Sequence, residues 1–238
     1  KMQFDTTTSS SWKFGHRGRV AVFIDGNNLF HAARFHTIDI DYNKLLRILL
    51  GDGRLLRAFF YTGVDAGAER QQGFLLWMRR NGFRVVQKEL KTFYDGTRKA
   101  NLDVEIAVDM LSLAGRYDTA VLVSGDEDFV YAVNAVAYKG CRVEVAGFRS
   151  NTAPRLIDVA DFFIDLGDIA EMIRKDITQV GDYDVPSFIP PEEIPMNGVI
   201  RPNGKEQPPA ISRSVTVERH FSDDEDETAD FVRLKDER

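Results

Sequence analysis

Acidic residues follow two apolar runs of the sequence, directly after the point where each run ends. Asp25 comes after the run at residues 20–24. Asp126 and Asp128 come shortly after the run at residues 120–123. Continuous apolar, β-branched runs are typical of strands buried on both faces of a parallel sheet, and ligands bind beyond the carboxyl ends of such strands. The sequence therefore predicts a ligand site that contains these acids.

Carboxylates that share a site need a physical reason to be there. Two like charges about 4 Å apart repel each other by roughly 4 kcal/mol at an effective dielectric constant near 20. A divalent cation removes this repulsion, and Mg²⁺ binds a few carboxylate oxygens while retaining water and preferring phosphate-bearing partners. The pattern therefore indicates metal-dependent chemistry on a phosphate group, with Mg²⁺ or Mn²⁺ as the expected cofactor.

A third acid, Asp103, begins a predicted helix and is the better ligand candidate there, with Asp109 as a reserve. Each acid also has a purely structural explanation. Asp25 can cap the helix that follows a sharp turn, and Asp103 can place negative charge favourably at a helix N-terminus. At residues 126–128 one cap needs only one acid, so the structural explanation is weaker, and Glu127 is expected to face solvent.

A loop at residues 88–99 is expected at the same edge of the sheet. It combines cations with aromatic side chains, which suits a nucleic-acid backbone and a stacked base. The cationic and aromatic candidates for substrate binding are Lys91, Tyr94, Arg98 and Lys99. Ser124 can add a hydroxyl to a metal-bound water or a phosphate, and Asn27 or Asn28 can orient waters or phosphates.

The chain alternates between strand-like and helix-like runs, which predicts right-handed βαβ crossovers in a parallel sheet with helices on both faces. The fold class is therefore α/β, a three-layer α/β/α sandwich. The predicted strands are residues 20–24, 55–61, 83–87, 120–123, 142–146 and 162–164. The predicted helices are residues 42–50, 68–80, 102–114, 128–138, 154–159 and 168–174.

One of these helices, at residues 102–114, carries apolar residues at a helical spacing. The spacing predicts a single stripe that faces the core. The members of this stripe are Val104, Ala107, Val108, Leu111 and Ala114. On this assignment Glu105 and Asp109 lie on a more exposed face.

Composition limits the class of protein. The 238 residues are 43% hydrophobic and 29% charged, which is ordinary for a globular protein, and no apolar stretch is long enough for a membrane span. The single cysteine, Cys141, excludes a disulfide framework and a thiolate zinc cluster, and a cytoplasmic location is expected. No phosphate-binding P-loop, dinucleotide-binding glycine motif, nucleophile elbow or zinc-protease motif occurs.

The net charge of −6 is concentrated at one end of the chain. Residues 221–238 carry eight acids and three bases, so they contribute −5, and the rest is close to neutral and can present a basic face to phosphate. The expected organisation is a flexible leader at 1–18, a domain at 19–180, a proline-rich linker at 181–210 and an acidic tail at 211–238. Residues 211–217 alternate and can form an edge strand or a docking segment.

Three motifs together resemble the NYN domain family, specifically its LabA-like branch. They are Ile24-Asp25-Gly26-Asn27-Asn28, Lys99-Ala100-Asn101-Leu102-Asp103 and Val123-Ser124-Gly125-Asp126-Glu127-Asp128-Phe129. This resemblance implies a PIN-like nuclease fold and an acidic cluster that holds Mg²⁺ or Mn²⁺ for RNA cleavage. Carried over, the cluster consists of Asp25, Asp103, Asp126 and Asp128, with Asn28, Lys99 and Ser124 in support.

Two functions follow as expectations. The first is a ribonuclease in which Asp25 and Asp126 are primary metal ligands, while Asp103 and Asp128 complete the shell or orient the water. The second is a regulatory protein that keeps the fold and binds RNA or a protein without cutting it. A phosphatase with an aspartyl nucleophile is disfavoured, because position 27 is Asn where such enzymes carry a second aspartate. The tail is expected to recruit a protein partner or to support self-association.

Overall fold

The computed structural model describes residues 16–65, 69–92, 94, 98–176 and 188, with the backbone alone at residues 70, 92, 98 and 99. Most of the predicted leader lies outside these residues. The predicted linker and acidic tail also lie outside them, apart from Phe188.

Six strands form one entirely parallel sheet at the centre of the domain. They are β1 (Arg19–Asp25), β2 (Arg54–Val64), β3 (Phe83–Glu89), β6 (Thr119–Val123), β7 (Arg142–Gly147) and β8 (Phe162–Asp165). Their order across the sheet is β3-β2-β1-β6-β7-β8. Two short strands, β4 (Lys91–Thr92) and β5 (Arg98–Lys99), pair antiparallel within the predicted loop at residues 88–99.

Helices cover both faces of this sheet, so the predicted three-layer α/β/α architecture is confirmed. The helices are α1 (Gly26–Phe35), α2 (Tyr42–Leu50), α3 (Glu69–Arg80), α4 (Asp103–Leu113), α5 (Val130–Ala137), α6 (Pro154–Val159) and α7 (Ala170–Ile173). Short 3₁₀ helices occupy Glu127–Phe129 and Arg149–Asn151. Within the described residues, no helix has the length and apolar character that a bilayer crossing requires.

Alternating side chains of the central strands supply two separate cores. In β1, Val22 and Ile24 pack with α1, α2 and α3, whereas Ala21 and Phe23 pack with α4 and α5 on the other face. Every residue of β6 is buried. The continuous apolar runs of the sequence therefore arise because these strands have no solvated face, as parallel strands under two helical layers require.

The predicted core stripe of the helix at residues 102–114 is wrong. Val104 and Val108 are 68% and 53% exposed, while Ile106 and Met110 are buried against the sheet. This helix carries two apolar stripes at similar spacing, and periodicity alone cannot decide between them. The choice is made by neighbours outside the helix, because the more exposed face predicted for Glu105 and Asp109 instead lies against β2 and β3.

Contacts extend the domain slightly beyond both expected boundaries. Arg17, in the predicted leader, donates a hydrogen bond from Nε to Oε1 of the buried Glu144 at 3.1 Å. Phe188, in the predicted linker, is buried with its ring centroid 5.2 Å from those of both Phe60 and Phe74. The first hydrophobic core therefore includes an aromatic side chain contributed from after residue 180.

Candidate active site

The predicted site lies where the direction of strand order reverses. Strands β1 and β6 are neighbours in the sheet, with Ile24 in register with Val123, but they are far apart in sequence. The chain builds outward from β1 through β2 to β3, then crosses back to start the other half at β6. Crevices at such a switch point are the usual ligand sites of open α/β sheets. Asp25 is the last residue of β1 and Asp126 follows the end of β6, so the two acids lie on either side of this crevice.

Asp25 caps α1 and also lies beside the other acids. Its Oδ1 accepts a hydrogen bond from the backbone N–H of Asn28 at 3.1 Å, and its Oδ2 accepts one from the Ser124 hydroxyl at 3.2 Å. Burial raises the pKa of the Asp25 carboxyl to about 6, and the negative charges of Asp103 and Asp126 add to this effect. The two hydrogen bonds act in the opposite direction. Asp25 therefore does cap α1, but capping alone does not explain its position beside the other acids.

The turn after β6 directs its acids in different directions. Asp126 caps the 3₁₀ helix by accepting the N–H of Asp128 on Oδ1 at 3.0 Å. Its own N–H donates to the Ser124 hydroxyl at 3.3 Å, so Ser124 connects this turn to Asp25. Glu127 is exposed and pairs with Arg155 at 2.7 Å. Two of the three acids thus remain on the side of the crevice.

Asp103 is the first residue of α4, and Asn101, two residues earlier, holds it by hydrogen bonds. The Asn101 amide donates from Nδ2 to Asp103 Oδ2 at 2.6 Å, and the N–H of Asp103 donates to Asn101 Oδ1 at 2.9 Å. Partial burial raises the pKa of the Asp103 carboxyl, the charges of Asp126 and Asp128 raise it further, and the Asn101 bond lowers it. The structure thus brings α4 and the turn after β6 together through their acids.

Three of the predicted acids form a group that could hold a metal ion. One carboxylate oxygen from each of Asp103, Asp126 and Asp128 lies within 4.8 Å of the others. Asp25 is not a member of this group, but with Asp103 and Asp126 it lines an open cavity of about 350 Å³. The four-aspartate ligand set therefore stays a prediction, and the geometry centres on the three acids at the rim.

The donor set fits a hard divalent cation. Carboxylate oxygens are the protein ligands that Mg²⁺ and Mn²⁺ prefer. Lys88 and Arg155, two cations of the described residues, pair with Glu105 and Glu127 and not with these aspartates. Carboxylates that repel each other in one site are stabilised by a metal ion.

The family model for the NYN domain matches residues 19–168, which include all six strands of the sheet and all four aspartates. The chain belongs to the NYN domain family. The NYN domain is a family of PIN-like nucleases. The acids at the switch point therefore belong to a domain of a PIN-like nuclease family.

Individual relatives agree with this membership. The chain is 36% identical over 165 residues to "Low amplitude and bright protein LabA" of Synechococcus elongatus, a match that covers 66% of this chain and 88% of that protein. It is 24% identical over 160 residues to an uncharacterised protein of Methanocaldococcus jannaschii, covering 66% of this chain and 59% of that protein.

A solved structure also resembles this NYN domain. The crystal structure of a protein of unknown function from Vibrio parahaemolyticus superposes with a TM-score of 0.59 at 27% identity. The superposition covers 68% of this chain and 99% of that one. The matched fold is thus nearly the whole of the other protein.

The remaining predicted site residues of this NYN domain have varied positions. Asn28 lines the cavity, and its Oδ1 accepts the N–H of Gly125 at 2.9 Å, which ties α1 to the turn after β6. Lys91 and Tyr94 are exposed. The side chains of Arg98 and Lys99 lie outside the described residues. Binding of substrate by these residues stays a prediction.

Sequence reasoning missed several residues that line the cavity. They are His31, Tyr61 and Asn101. His31 lies four residues after Asn27 on α1, so helical spacing from the predicted turn could have found it. Tyr61 lies in the second strand, and its hydroxyl donates to Asp109 at 2.9 Å. No local signal marks Tyr61, because its place depends on the pairing of β1 with β2.

Gly125 is required by close packing within the acidic turn. A Cβ at this position would lie 2.0 Å from the carbonyl oxygen of Asn151. Gly125→Ala is expected to lower the free energy of unfolding by about 2–3 kcal/mol. Gly73→Ala is the matched control, because Gly73 lies on the exposed side of α3 with nothing within 4 Å of that Cβ, and we expect a gain of about 0.5–1 kcal/mol. Urea denaturation measures both, and an unchanged midpoint for Gly125→Ala would contradict this packing.

Proposed function

We propose that this NYN domain is a metal-dependent ribonuclease that hydrolyses RNA phosphodiester bonds. The observation that carries the proposal is the group formed by Asp103, Asp126 and Asp128, placed at the switch point of a PIN-like fold. Acids gathered in this way are costly to the fold unless they serve a cation. In a nuclease the repulsion between these acids is offset by the cation that the reaction uses.

In this proposal the three rim carboxylates hold Mg²⁺ or Mn²⁺, and Asp25 lies deeper in the same cavity. A bound cation of this kind supplies a nucleophilic water at neutral pH and stabilises charge on the phosphoryl oxygens. Asn101 fixes the orientation of Asp103, and the Ser124 hydroxyl holds Asp25 relative to Asp126. These hydrogen bonds keep the carboxylates in place before substrate binds, which lowers the reorganisation that the reaction requires.

Asp25 is suited to hold or accept a proton in this arrangement. Its raised pKa, near 6, places its change of protonation close to neutral pH, where general acid and base groups are most effective. A cation held by Asp103 and Asp126 would lower that pKa again, because positive charge favours the carboxylate. Asp25 can thus take up the proton of an attacking water or serve as a further ligand.

The test is a digestion panel with the purified full chain. Labelled single- and double-stranded RNA and DNA are incubated with Mg²⁺, with Mn²⁺ and with EDTA. We expect cleavage of RNA with a divalent cation and none with EDTA. If the protein binds RNA but cuts none of the substrates with either metal, the ribonuclease proposal is overturned in favour of a regulatory NYN domain.

A further inference from the structure

Three arginines line a second open cavity at the other end of the sheet. Arg57 belongs to β2, Arg84 belongs to β3, and Arg79 lies at the end of α3. The cavity has a volume of about 350 Å³, and none of the described residues that line it is acidic. We call these three residues the arginine cluster.

The described residues supply no acid that pairs with the arginine cluster. Within the described part of the chain, none of its three guanidinium groups forms an ion pair, and Arg79 donates from Nη2 to Gln87 Oε1 at 2.8 Å. The planar forks of guanidinium groups match phosphate oxygens, which they bind in pairs of hydrogen bonds.

One strand connects the arginine cluster to the acidic cavity. Arg57 and Tyr61 are four residues apart on the same face of β2, about 13 Å at the rise of a parallel strand, and Tyr61 lines the acidic cavity. The neighbouring strand β3 also runs from one cavity towards the other. Its Arg84 is in register with Phe59 of β2, and its Lys88, four residues further on, is in register with Gly63. The Lys88 ammonium donates to the carbonyl of Asn101, which lines the acidic cavity.

The surface between the two cavities has the arginine cluster at one end, the Lys88–Glu105 ion pair at the other and apolar side chains in the middle. Phe59 and Val86 lie there on the same sheet face and are only half-buried. Helix α3 packs on the opposite face, through residues such as Phe74 and Met78. We call Phe59, Val86 and Lys88 the connecting strip.

We propose that the arginine cluster binds backbone phosphates of a single-stranded RNA whose scissile bond lies at the acidic cavity. The connecting strip then lies under the nucleotides in between, with Phe59 and Val86 contacting bases or sugars. This inference rests on the proposed ribonuclease function. It makes affinity depend on RNA length, because a short RNA cannot occupy both cavities at once.

The test measures RNA binding by the full chain in EDTA, where no metal-dependent cleavage occurs. Fluorescence anisotropy compares single-stranded RNA of about 4 and about 16 nucleotides. In a variant with Arg57→Gln, Arg79→Gln and Arg84→Gln, we expect affinity for the longer RNA to fall at least about tenfold and the log–log salt slope to decrease in magnitude by about 2. Affinity for the shorter RNA should change by less than about twofold.

A matched control removes the same amount of charge elsewhere. Arg47→Gln, Arg116→Gln and Lys139→Gln change three exposed cations outside the arginine cluster. This control should keep the affinity of the wild type for the longer RNA within about twofold. Equal losses in the two triple variants would overturn the inference, because general electrostatic attraction would then account for binding. Equal affinity of the wild type for both RNA lengths would overturn it as well.

The chain's own acidic tail is the competing occupant. Neutralising Asp223, Asp224, Glu225, Asp226 and Glu227 as amides in the full chain tests it. If this change raises RNA affinity in the wild type but not in the arginine triple variant, the tail and the RNA compete for the arginine cluster, which supports the inference. If it raises RNA affinity equally in both, the tail acts elsewhere, and the comparison of the two triple variants decides alone. Failure of the ribonuclease proposal has a different signature, because RNA binding then depends on the arginine cluster while metal-dependent cleavage is absent.

Discussion

Asp126→Asn is expected to lower metal-dependent RNA cleavage at least about 100-fold while leaving the protein folded. Asp126 belongs to the three-carboxylate group, so the substitution removes one negative ligand from the cation. The amide oxygen of Asn can still accept the N–H of Asp128, and Asn is as good a helix cap as Asp. The loss should therefore appear in the rate of cleavage at saturating RNA, with little change in the thermal unfolding midpoint.

The control for this variant comes from the next residue. Glu127→Gln removes the same charge from the same turn, but Glu127 points outward to Arg155. We expect its cleavage rate to stay within about twofold of the wild type, because an exposed ion pair contributes little. Similar rates for purified wild type and Asp126→Asn would show that cleavage comes from a contaminant, and similar losses in both variants would show that the rim carboxylates have no special role.

Asp25→Asn is expected to stabilise the metal-free protein by up to about 3 kcal/mol above about pH 6. The Asp25 carboxyl is buried, and its pKa is raised from 3.8 to about 6. Removing the charge removes the cost of burying it beside Asp103 and Asp126. Asn keeps an oxygen that can accept the N–H of Asn28, so the cap of α1 should survive.

The direction of the pH dependence follows from the raised pKa. Between about pH 4 and pH 6 the folded protein retains the proton of Asp25 after the unfolded chain has lost it. The contribution of Asp25 to the free energy of unfolding is thus fully favourable below about pH 4 and declines as the pH rises to about 6. Urea denaturation in EDTA across this range measures the difference between wild type and variant, and Glu127→Gln controls for the loss of one charge.

Two results would contradict this account of Asp25. A difference that does not vary with pH would show that the carboxyl is not buried in its charged form. A variant that is less stable at every pH would show that the hydrogen bonds from Asn28 and Ser124 require the carboxylate.

Adding Mg²⁺ should stabilise the wild type, because a ligand that binds only the folded state raises its stability.

The sequence by itself determined the architecture and the identity of the acids. Apolar runs without polar alternation require strands covered on both faces, and their separation by helix-like runs requires a parallel sheet, so the α/β sandwich follows from composition and spacing. The sequence of the turn Ser124-Gly125-Asp126-Glu127-Asp128 also indicated which of its acids points away from the site. One cap needs one acid, successive side chains differ in direction, and Glu127 is indeed exposed and paired with Arg155, away from the acidic group.

Tertiary structure decided which of these parts meet. Only the order of the strands makes β1 a neighbour of β6, which puts Asp25 and Asp126 on one crevice, and places Tyr61 on the second strand beside them. The buried face of α4 was also undecided in the sequence, since Val104 and Ile106 are equally apolar and the packing of Glu105 against Lys88 selects between them. The arginine cluster has the same origin. Pairing between residues distant in the chain carries no local signal, whereas hydrophobic period and turn chemistry do.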